Sequence, residues 1–407
     1  MDHSPRIRIA LLGAGGFATD AHLPAIAHNQ DTLQLVALYS RSLKSATSLL
    51  DAARRLPSLA SSADSISLYS DDHPDPQSHS LDALLDRTDI DAVALCLPIP
   101  AQPAIIRRCL SANKHVLSEK PLAPSLAEAR ALVQEYERDH APRGVHWLVA
   151  EQFPYAPAWE KARDLVRQGK LGTLVGFDAR VFIQPTLKAG ATNWRRVPDY
   201  QGGFLLDGGV HFFAALRHVL SGSVSPSTSS PTELTALSAH VTQLDRALPP
   251  ADTLRCLVST SDPALSGTLT LSFGTPPPSS AKVYTFTGTD GVLSVDLGAG
   301  PRTVLLTLVS RAPEAEPNGA PLPPRRVEIE LPAQTAVERE FAAFAGVILE
   351  GARDSEGAAG SAARVRSGPR AAMRDLAAVE GALKSGEREG DKVGLRELVG
   401  DEWWEVK

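Results

Sequence analysis

Residues 6–18 read RIRIALLGAGGFA, and this stretch decides the fold of the N-terminal half. Up to Leu12 it mixes arginine with β-branched and aliphatic residues, which is typical of a strand, and the glycines that follow predict a tight turn before a helix. Gly13, Gly15 and Ala18 fill a G-x-G-x-x-G/A motif, whose small residues let the backbone approach a pyrophosphate at a helix N-terminus. A plain strand-to-helix turn is the alternative. A second strand follows about 20 residues later, so we predict dinucleotide binding.

The same alternation of strands and helices continues along the N-terminal part of the chain. Short apolar runs predict strands at residues 33–39, 91–97 and 115–118, with helix-like segments between them. A Ser-rich surface loop around a short strand is predicted at residues 56–80. Alternating strands and helices indicate a doubly wound parallel sheet. We therefore predict an α/β, Rossmann-type dinucleotide-binding domain over residues 1–150.

Closely spaced strands replace this pattern in the second part of the chain. Strand-like segments with turn signals between them occupy residues 174–183, 233–244, 253–259, 266–273, 282–287, 292–297, 303–309 and 326–331. Strands without intervening helices indicate an antiparallel or mixed sheet, and helices are predicted near the C-terminus. We predict an α+β domain over residues 151–407, built on a large, mostly antiparallel open-faced sheet with C-terminal helices.

The composition excludes several classes of protein. A chain of 407 residues, 43% apolar and 22% charged, is close to the average for soluble globular proteins. Its 41 basic and 47 acidic residues give a net charge of −6, which argues against a nucleic-acid partner. Cys96, Cys109 and Cys256 form no CxxC pair and suggest a reducing compartment. No stretch approaches 18 apolar residues, so we expect a cytoplasmic protein without a membrane partner.

The end of the second predicted strand bears on the choice of cofactor. An NAD enzyme usually carries Asp or Glu there for the ribose 2′-hydroxyl, whereas this chain has Ser40, Arg41 and Ser42. Hydroxyls and a guanidinium suit a 2′-phosphate, to which arginine offers two charge-assisted hydrogen bonds. A merely solvated Arg41 is the alternative. We predict a preference for NADP(H).

Two further segments carry residues suited to acid/base chemistry. Lys120 follows a predicted strand in HVLSEKP (115–121), at the sheet edge where α/β proteins bind ligands, and can protonate a substrate oxygen. Asp207 and His211, in GGFLLDGGVH (202–211), lie at the entry to a helix-like run predicted at residues 212–220. They have i, i+4 spacing, so on a helix the carboxylate can orient the imidazole. A surface lysine, a capping aspartate and a packed histidine are the alternatives. No third ligand accompanies the pair, so no metal is predicted.

The segments GAGGFA with HLPA after it, KHVLSEKPLA, AEQF, GKLG and GGFLLDGGVH together resemble the Gfo/Idh/MocA family of NAD(P)-dependent oxidoreductases, and the loops resemble its fungal members. The resemblance covers most of residues 6–220. It implies hydride transfer between the nicotinamide and a carbon bearing a hydroxyl or carbonyl, with Lys120 and His211 handling the proton and Asp207 orienting His211. Which of Lys120 and His211 is the main donor varies across the family. The implied cofactor contacts are Gly13, Ala14, Gly15, Gly16, Phe17, Leu97, Pro98, Gln102, Glu119, Lys120, Gln152, Trp194 and Arg195.

The chain also departs from the family pattern. The Asn and His of the usual T-P-N-x-x-H segment are Ile99 and Gln102, and AEQF replaces the commoner AEN, so the amide of Gln152 lies one carbon further out. We predict an NADP(H)-dependent oxidoreductase of a small sugar, polyol or related carbonyl compound, and the family resemblance implies a homodimer formed through the open sheet face. The alternative is a non-catalytic NADP sensor, which would have no need of a lysine, an aspartate and a histidine together.

Overall fold

The computed structural model describes residues 6–185, 195–225, 229–276, 281–311, 323–333, 335–351 and 358–404. The chain divides into two compact units, the first with Met1–Gln152 and Val337–Met373 and the second with Phe153–Ala336 and Arg374–Trp404. The sequence predicts that all C-terminal helices belong with residues 151–407, whereas Val337–Met373 groups with the first unit. The reason is that apolar side chains of this segment, such as Phe341 and Phe344, pack into the core of the first unit.

The first unit begins with alternating strands and helices. In chain order these are β1 (Ile7–Leu12), α1 (Leu23–His28), β2 (Leu33–Ser40), α2 (Leu43–Arg54), α3 (Pro57–Ala60), β3 (Ser67–Ser70), α4 (Pro76–His79), α5 (Leu81–Leu85), β4 (Ala92–Leu95), α6 (Gln102–Ser111), β5 (His115–Glu119), α7 (Leu126–Glu135) and β6 (Trp147–Ala150). Within the described residues, six strands form one parallel sheet in the order β3-β2-β1-β4-β5-β6. The order reverses between β1 and β4, at the point where such sheets bind ligands. The predicted Rossmann fold is confirmed.

The second unit contains a large sheet. Its elements and the remaining helices of the chain are α8 (Pro157–Arg167), β7 (Leu174–Phe182), α9 (Phe204–Leu220), β8 (Leu234–Thr242), β9 (Thr253–Thr260), β10 (Ser266–Ser272), β11 (Ala281–Gly288), β12 (Gly291–Asp296), β13 (Thr303–Ser310), β14 (Arg325–Pro332), α10 (Ala336–Gly351), α11 (Ala358–Ser367), α12 (Pro369–Glu387), β15 (Val393–Gly394), α13 (Leu395–Val399) and α14 (Asp401–Trp404). Nine strands of the described ranges pair in the order β14-β13-β12-β11-β7-β10-β9-β8-β15. All neighbours are antiparallel except β7 and β10. The predicted, mostly antiparallel sheet is confirmed.

Helices α8 and α9 pack against one face of this sheet. The ring of Trp159 on α8 meets Tyr284 on β11 edge to face, with 4.8 Å between centroids, and the Tyr284 hydroxyl donates a hydrogen bond to the Phe212 carbonyl of α9. On β7 the exposed side chains of Asp178 and Arg180 alternate with buried ones, as expected when one sheet face is covered. Among the described helices, none combines the length and apolar character that crossing a bilayer requires.

Candidate active site

The glycine turn at the carboxyl end of β1 is closed on one side and open on the other. Gly13 has φ of 110°, its N–H donates to the Tyr39 carbonyl at 2.8 Å, and a Cβ there would collide with the Cys96 carbonyl oxygen. A Cβ on Gly15 would meet no atom within 4 Å. Ala14 is half-buried, whereas Gly16 and Phe17 are exposed. The turn therefore needs glycine where it contacts the sheet and presents open backbone where a diphosphate would approach.

The end of β2 carries the two residues on which the cofactor prediction depends. Ser40 is half-buried, and Arg41 is exposed and forms no ion pair within the described part of the chain. Two acids that the sequence reasoning missed follow β3. Asp71 accepts the Tyr39 hydroxyl at 2.7 Å. The carboxylate of Asp72 accepts the Leu43 N–H at 2.6 Å and the Ser70 hydroxyl at 2.9 Å, and these bonds hold its pKa below the usual value. Only their position in the fold reveals these acids, because no motif marks them.

Several predicted cofactor contacts, Leu97, Pro98, Gln102 and Lys120, follow the ends of β4 and β5 along the chain. Leu97 and Pro98 are half-buried, and Gln102 is fully buried. The Gln102 Nε2 donates to the Pro121 carbonyl at 3.1 Å, and its Oε1 has no hydrogen-bond partner within the described residues. A buried acceptor without a donor fits a site that receives a polar ligand group. Lys120 itself is half-buried and follows β5 directly, as predicted.

Glu119, the last residue of β5, is bonded to protein groups through both carboxylate oxygens. Oε1 lies 2.7 Å from Nε2 of His22, and Oε2 accepts the backbone N–H of Lys120 at 3.1 Å. Two further buried acids lie close to it, Glu151 after β6 and Glu340 on α10. Burial, and then repulsion from Glu119 and Glu151, raises the pKa of Glu340 well above its usual value. Gln152 follows Glu151 and is half-buried.

Three potential metal ligands of the first unit bear on the prediction of no metal. Within the described ranges, the ligand atoms of His22, Cys96 and Glu119 lie within 4.8 Å of one another. His22 Nε2 and Glu119 Oε1 already form the 2.7 Å hydrogen bond described above, so one potential ligand atom of each residue is engaged by the other. The absence of a metal stays a prediction.

Helix α9 in the second unit carries Asp207 and His211. The sequence predicts helix from residue 212, but the helix begins at Phe204. Gly208 and Gly209 hide the true start of the helix from a sequence-based prediction, because glycine disfavours helices. Here glycine is needed for packing: a Cβ on Gly208 would lie 2.6 Å from the Phe273 ring and one on Gly209 would lie 3.2 Å from Leu271. Asp207 and His211 are therefore both helical and share one face, as their spacing predicts.

Contacts around α9 place Arg195, a predicted cofactor contact, beside Asp207 and add Phe153 and Tyr200, which the sequence did not assign. Arg195 Nε donates to Asp207 Oδ2 at 2.6 Å, with the Asp207 side chain 6% exposed and that of Arg195 40% exposed. The His211 ring stacks on Phe153 with 4.7 Å between centroids and 11° between planes. Burial, and then the charge of Asp207, raises the pKa of Tyr200. Trp194, a predicted cofactor contact, lies outside the described residues.

A Rossmann sheet with a glycine turn at its switch point, in a chain that also carries Lys120, Asp207 and His211, is typical of nucleotide-dependent oxidoreductases. Comparison with protein families identifies which one. Residues 7–146 match the oxidoreductase family with an NAD-binding Rossmann fold, GFO_IDH_MocA, and residues 159–294 match the GFO/IDH/MocA C-terminal domain. The chain therefore belongs to the Gfo/Idh/MocA family of oxidoreductases, and the resemblance drawn from its motifs is confirmed.

Three similar proteins bear on the function. The dehydrogenase FPY6 of Fusarium mangiferae is 36% identical over 94% of this chain and 97% of its own. The dTDP-3,4-didehydro-2,6-dideoxy-α-D-glucose 3-reductase of Streptomyces violaceoruber is 37% identical over 32% of this chain and 36% of its own. The structure of KijD10, a 3-ketoreductase from Actinomadura kijaniata in complex with NADP and TDP-benzene, covers 94% of this chain and 98% of its own, with a TM-score of 0.67 and 21% identity. The last likeness shows the fold alone.

Proposed function

We propose that the protein is an NADP(H)-dependent oxidoreductase that transfers a hydride between the nicotinamide and the hydroxyl or carbonyl carbon of a small sugar, polyol or related carbonyl compound. The observation that carries the proposal is Lys120 at the carboxyl end of β5, in a Rossmann chain that also retains Asp207 and His211 on one helix face. The likeness to a reductase whose name specifies a deoxysugar substrate supports the sugar class.

The preference for NADP rests on the end of β2. Arg41 is exposed and has no ion-pair partner within the described residues, so its guanidinium is available to a 2′-phosphate. The NADP held by KijD10 is consistent with this preference. The residues that would hold the cofactor are the turn at 13–17, Ser40, Arg41, Leu97, Pro98, Gln102 and Gln152.

Proton transfer is assigned to this chain's own side chains. When bound, the nicotinamide cofactor supplies or accepts the hydride. In the reducing direction the carbonyl oxygen must gain a proton as its carbon gains the hydride, and the ammonium of Lys120 donates it. We assign His211 as a second group that transfers a proton to or from the substrate hydroxyl. We assign Asp207, to which Arg195 donates a hydrogen bond, as the charged group that orients His211.

The test is consumption of NADPH and of NADH by the purified protein with a panel of aldoses, ketoses, diketones and aldehydes. We expect NADPH-preferring turnover with one of these classes. Lys120→Met should lower kcat by about 10² to 10⁴-fold, the range for a lost general acid, while NADPH still binds. Turnover unchanged in Lys120→Met would refute the role of Lys120. Tight NADPH binding without turnover anywhere in the panel would instead favour an NADP-sensing protein.

The cofactor assignment has its own variant. Arg41→Ala should weaken NADPH binding by about 10- to 100-fold, the worth of a charge-assisted hydrogen bond, and leave NADH binding nearly unchanged. Arg55→Ala, which removes an exposed cation at the far, C-terminal end of α2, is the matched control. Equal losses for both cofactors would refute the 2′-phosphate contact.

Light scattering of the same preparation tests the proposed homodimer.

A further inference from the structure

Buried side chains hold the backbone on both sides of the Lys120 Cα. Before it, Oε2 of Glu119 accepts the N–H of Lys120 at 3.1 Å, and after it Nε2 of Gln102 donates to the Pro121 carbonyl at 3.1 Å. The β5–β6 ladder ends at Glu119, and Pro121 has no N–H to offer a neighbouring strand. These two side-chain hydrogen bonds therefore fix a segment that lies beyond the sheet.

His22 fixes the carboxylate that holds Lys120. Its side chain is fully buried, and Nε2 lies 2.7 Å from Oε1 of Glu119. An ionised carboxylate only accepts, so Nε2 is the donating nitrogen. Phe17 and Phe341 both meet the imidazole edge to face, at 5.4 Å and 5.2 Å between centroids, which restricts rotation of the ring. Its Nδ1 has no hydrogen-bond partner within the described residues, so Glu119 is the polar contact that the ring serves.

We propose that His22, acting through Glu119, and Gln102 are positioning residues that place Lys120 for proton transfer. This inference rests on the proposed function, in which Lys120 carries the proton. A donor misplaced by about 1 Å costs on the order of 100-fold in rate, so loss of either hydrogen bond is expected to lower kcat. Gln102 occupies the position of the histidine in the family pattern, and in this chain its amide donates the hydrogen bond to the Pro121 carbonyl.

The decisive pair of variants is His22→Gln and His22→Asn. The amide nitrogen of Gln reaches the position of the imidazole Nε2 and can still donate to Glu119, whereas the shorter Asn amide reaches only the position of Nδ1. We expect His22→Asn to lower kcat by about 100-fold with KM changed by less than about three-fold, because the loss is in transition-state positioning. His22→Gln should recover most of the rate, to within about ten-fold of the wild-type value.

A second readout needs neither cofactor nor substrate. Hydrogen exchange of the Lys120 backbone amide, resolved by mass spectrometry or NMR on the apoprotein, reports on its bond to Glu119 directly. In His22→Asn this amide should exchange at least about ten-fold faster than in the wild type, since local opening becomes easier. In His22→Gln it should exchange at nearly the wild-type rate. His28→Asn, at an exposed histidine on the end of α1, is the control and should change neither quantity.

Several outcomes would overturn the inference. Equal losses of kcat in His22→Gln and His22→Asn would show that burial of an imidazole matters and the donated hydrogen bond does not. Faster exchange at Lys120 with a wild-type kcat would show that the bond exists without serving catalysis. If His22→Asn does not fold, Gln102→Met removes the other hydrogen bond at similar side-chain length, and a wild-type kcat in that variant refutes the proposal. Lys120→Met, measured in parallel, separates this failure from failure of the proposed function, because its turnover tests Lys120 itself.

Discussion

The first and second units hold their proposed acid/base residues by different kinds of contact. In the first unit, Lys120 is fixed through its backbone, which Glu119 and Gln102 hydrogen-bond from either side. In the second unit, His211 is fixed through its ring, which stacks on Phe153, and Asp207 is fixed by its charge, which pairs with Arg195.

The difference indicates how each set should respond to substitution. A backbone hydrogen bond determines where the lysine side chain begins, and the four-carbon stem adds its own freedom beyond that point. A stacked ring and a paired carboxylate are set at the reacting groups themselves, on a helix whose glycines let it pack closely on the sheet. Substitutions around Lys120 should therefore act through distance. Those around Asp207 and His211 should act through charge and ring orientation.

In the second unit, the largest expected effect is at the Arg195–Asp207 pair. Asp207→Asn keeps the size of the side chain but removes the charge, and we expect kcat to fall by about 100-fold because His211 loses the charged group that we propose orients it. Arg195→Met should cause a loss of similar size, since it leaves Asp207 buried without the guanidinium that pairs with it. Steady-state kinetics with the substrate class found in the panel is the measurement.

A double-mutant cycle sharpens this result. If Arg195 acts through Asp207, the double variant should be no slower than the worse single variant, because the two residues work as one unit. Fully multiplicative losses would show that Arg195 serves a separate purpose, such as direct contact with the ligand. Asp199→Asn is the matched control, since it removes an exposed acid from the same segment and should leave kcat within about two-fold of wild type.

A smaller effect is expected at Phe153. Phe153→Leu keeps the side chain apolar but removes the ring that stacks on His211, an interaction worth about 1 kcal/mol. We expect kcat to fall by about five-fold with an unchanged KM, because the imidazole samples more orientations. Phe153→Tyr preserves the stacking surface and should stay close to the wild-type rate. A Leu variant as fast as the wild type would show that α9 alone orients His211.

The sequence predicted those parts of the site that depend on local pattern. The apolar run that forms β5 ends immediately before Lys120, and the i, i+4 spacing placed Asp207 and His211 on one face. Periodicity carries this information because strands and helices repeat at fixed intervals. The start of α9 was predicted too late, since Gly208 and Gly209, which argue against a helix, pack closely on Phe273 and Leu271, which lie far along the chain.

Partners that come from distant segments left no local signal. The glycine motif and the EKP segment predicted a ligand at the carboxyl edge of the sheet, but nothing in either indicates that His22 bonds to Glu119. Glu340 lies on a helix that the sequence assigned to the second domain, whereas its neighbours pack into the core of the first unit. Such contacts follow from tertiary packing, and neither spacing nor composition encodes them.

The smallest effect on turnover is expected at Glu340, where substitution should change stability and leave Lys120 in place. Its pKa is raised in the folded protein, so between the ordinary carboxyl pKa and that raised value the folded state binds a proton that the unfolded state has lost. The free energy of unfolding should therefore fall as pH rises through this window, by up to about 1.4 kcal/mol per pH unit. Glu340→Gln cannot ionise, so urea unfolding should show similar stability for variant and wild type near pH 5 and a growing advantage for the variant toward pH 8.

Two comparisons isolate the contribution of Glu340. Titration of His115 and His146, whose pKa values burial lowers to about 4, affects Glu340→Gln and wild type equally and cancels in the difference between their stabilities. Glu338→Gln, at a half-exposed acid on the same helix, should show no such divergence, and parallel curves for Glu340→Gln and wild type would mean that Glu340 is ionised in the folded protein.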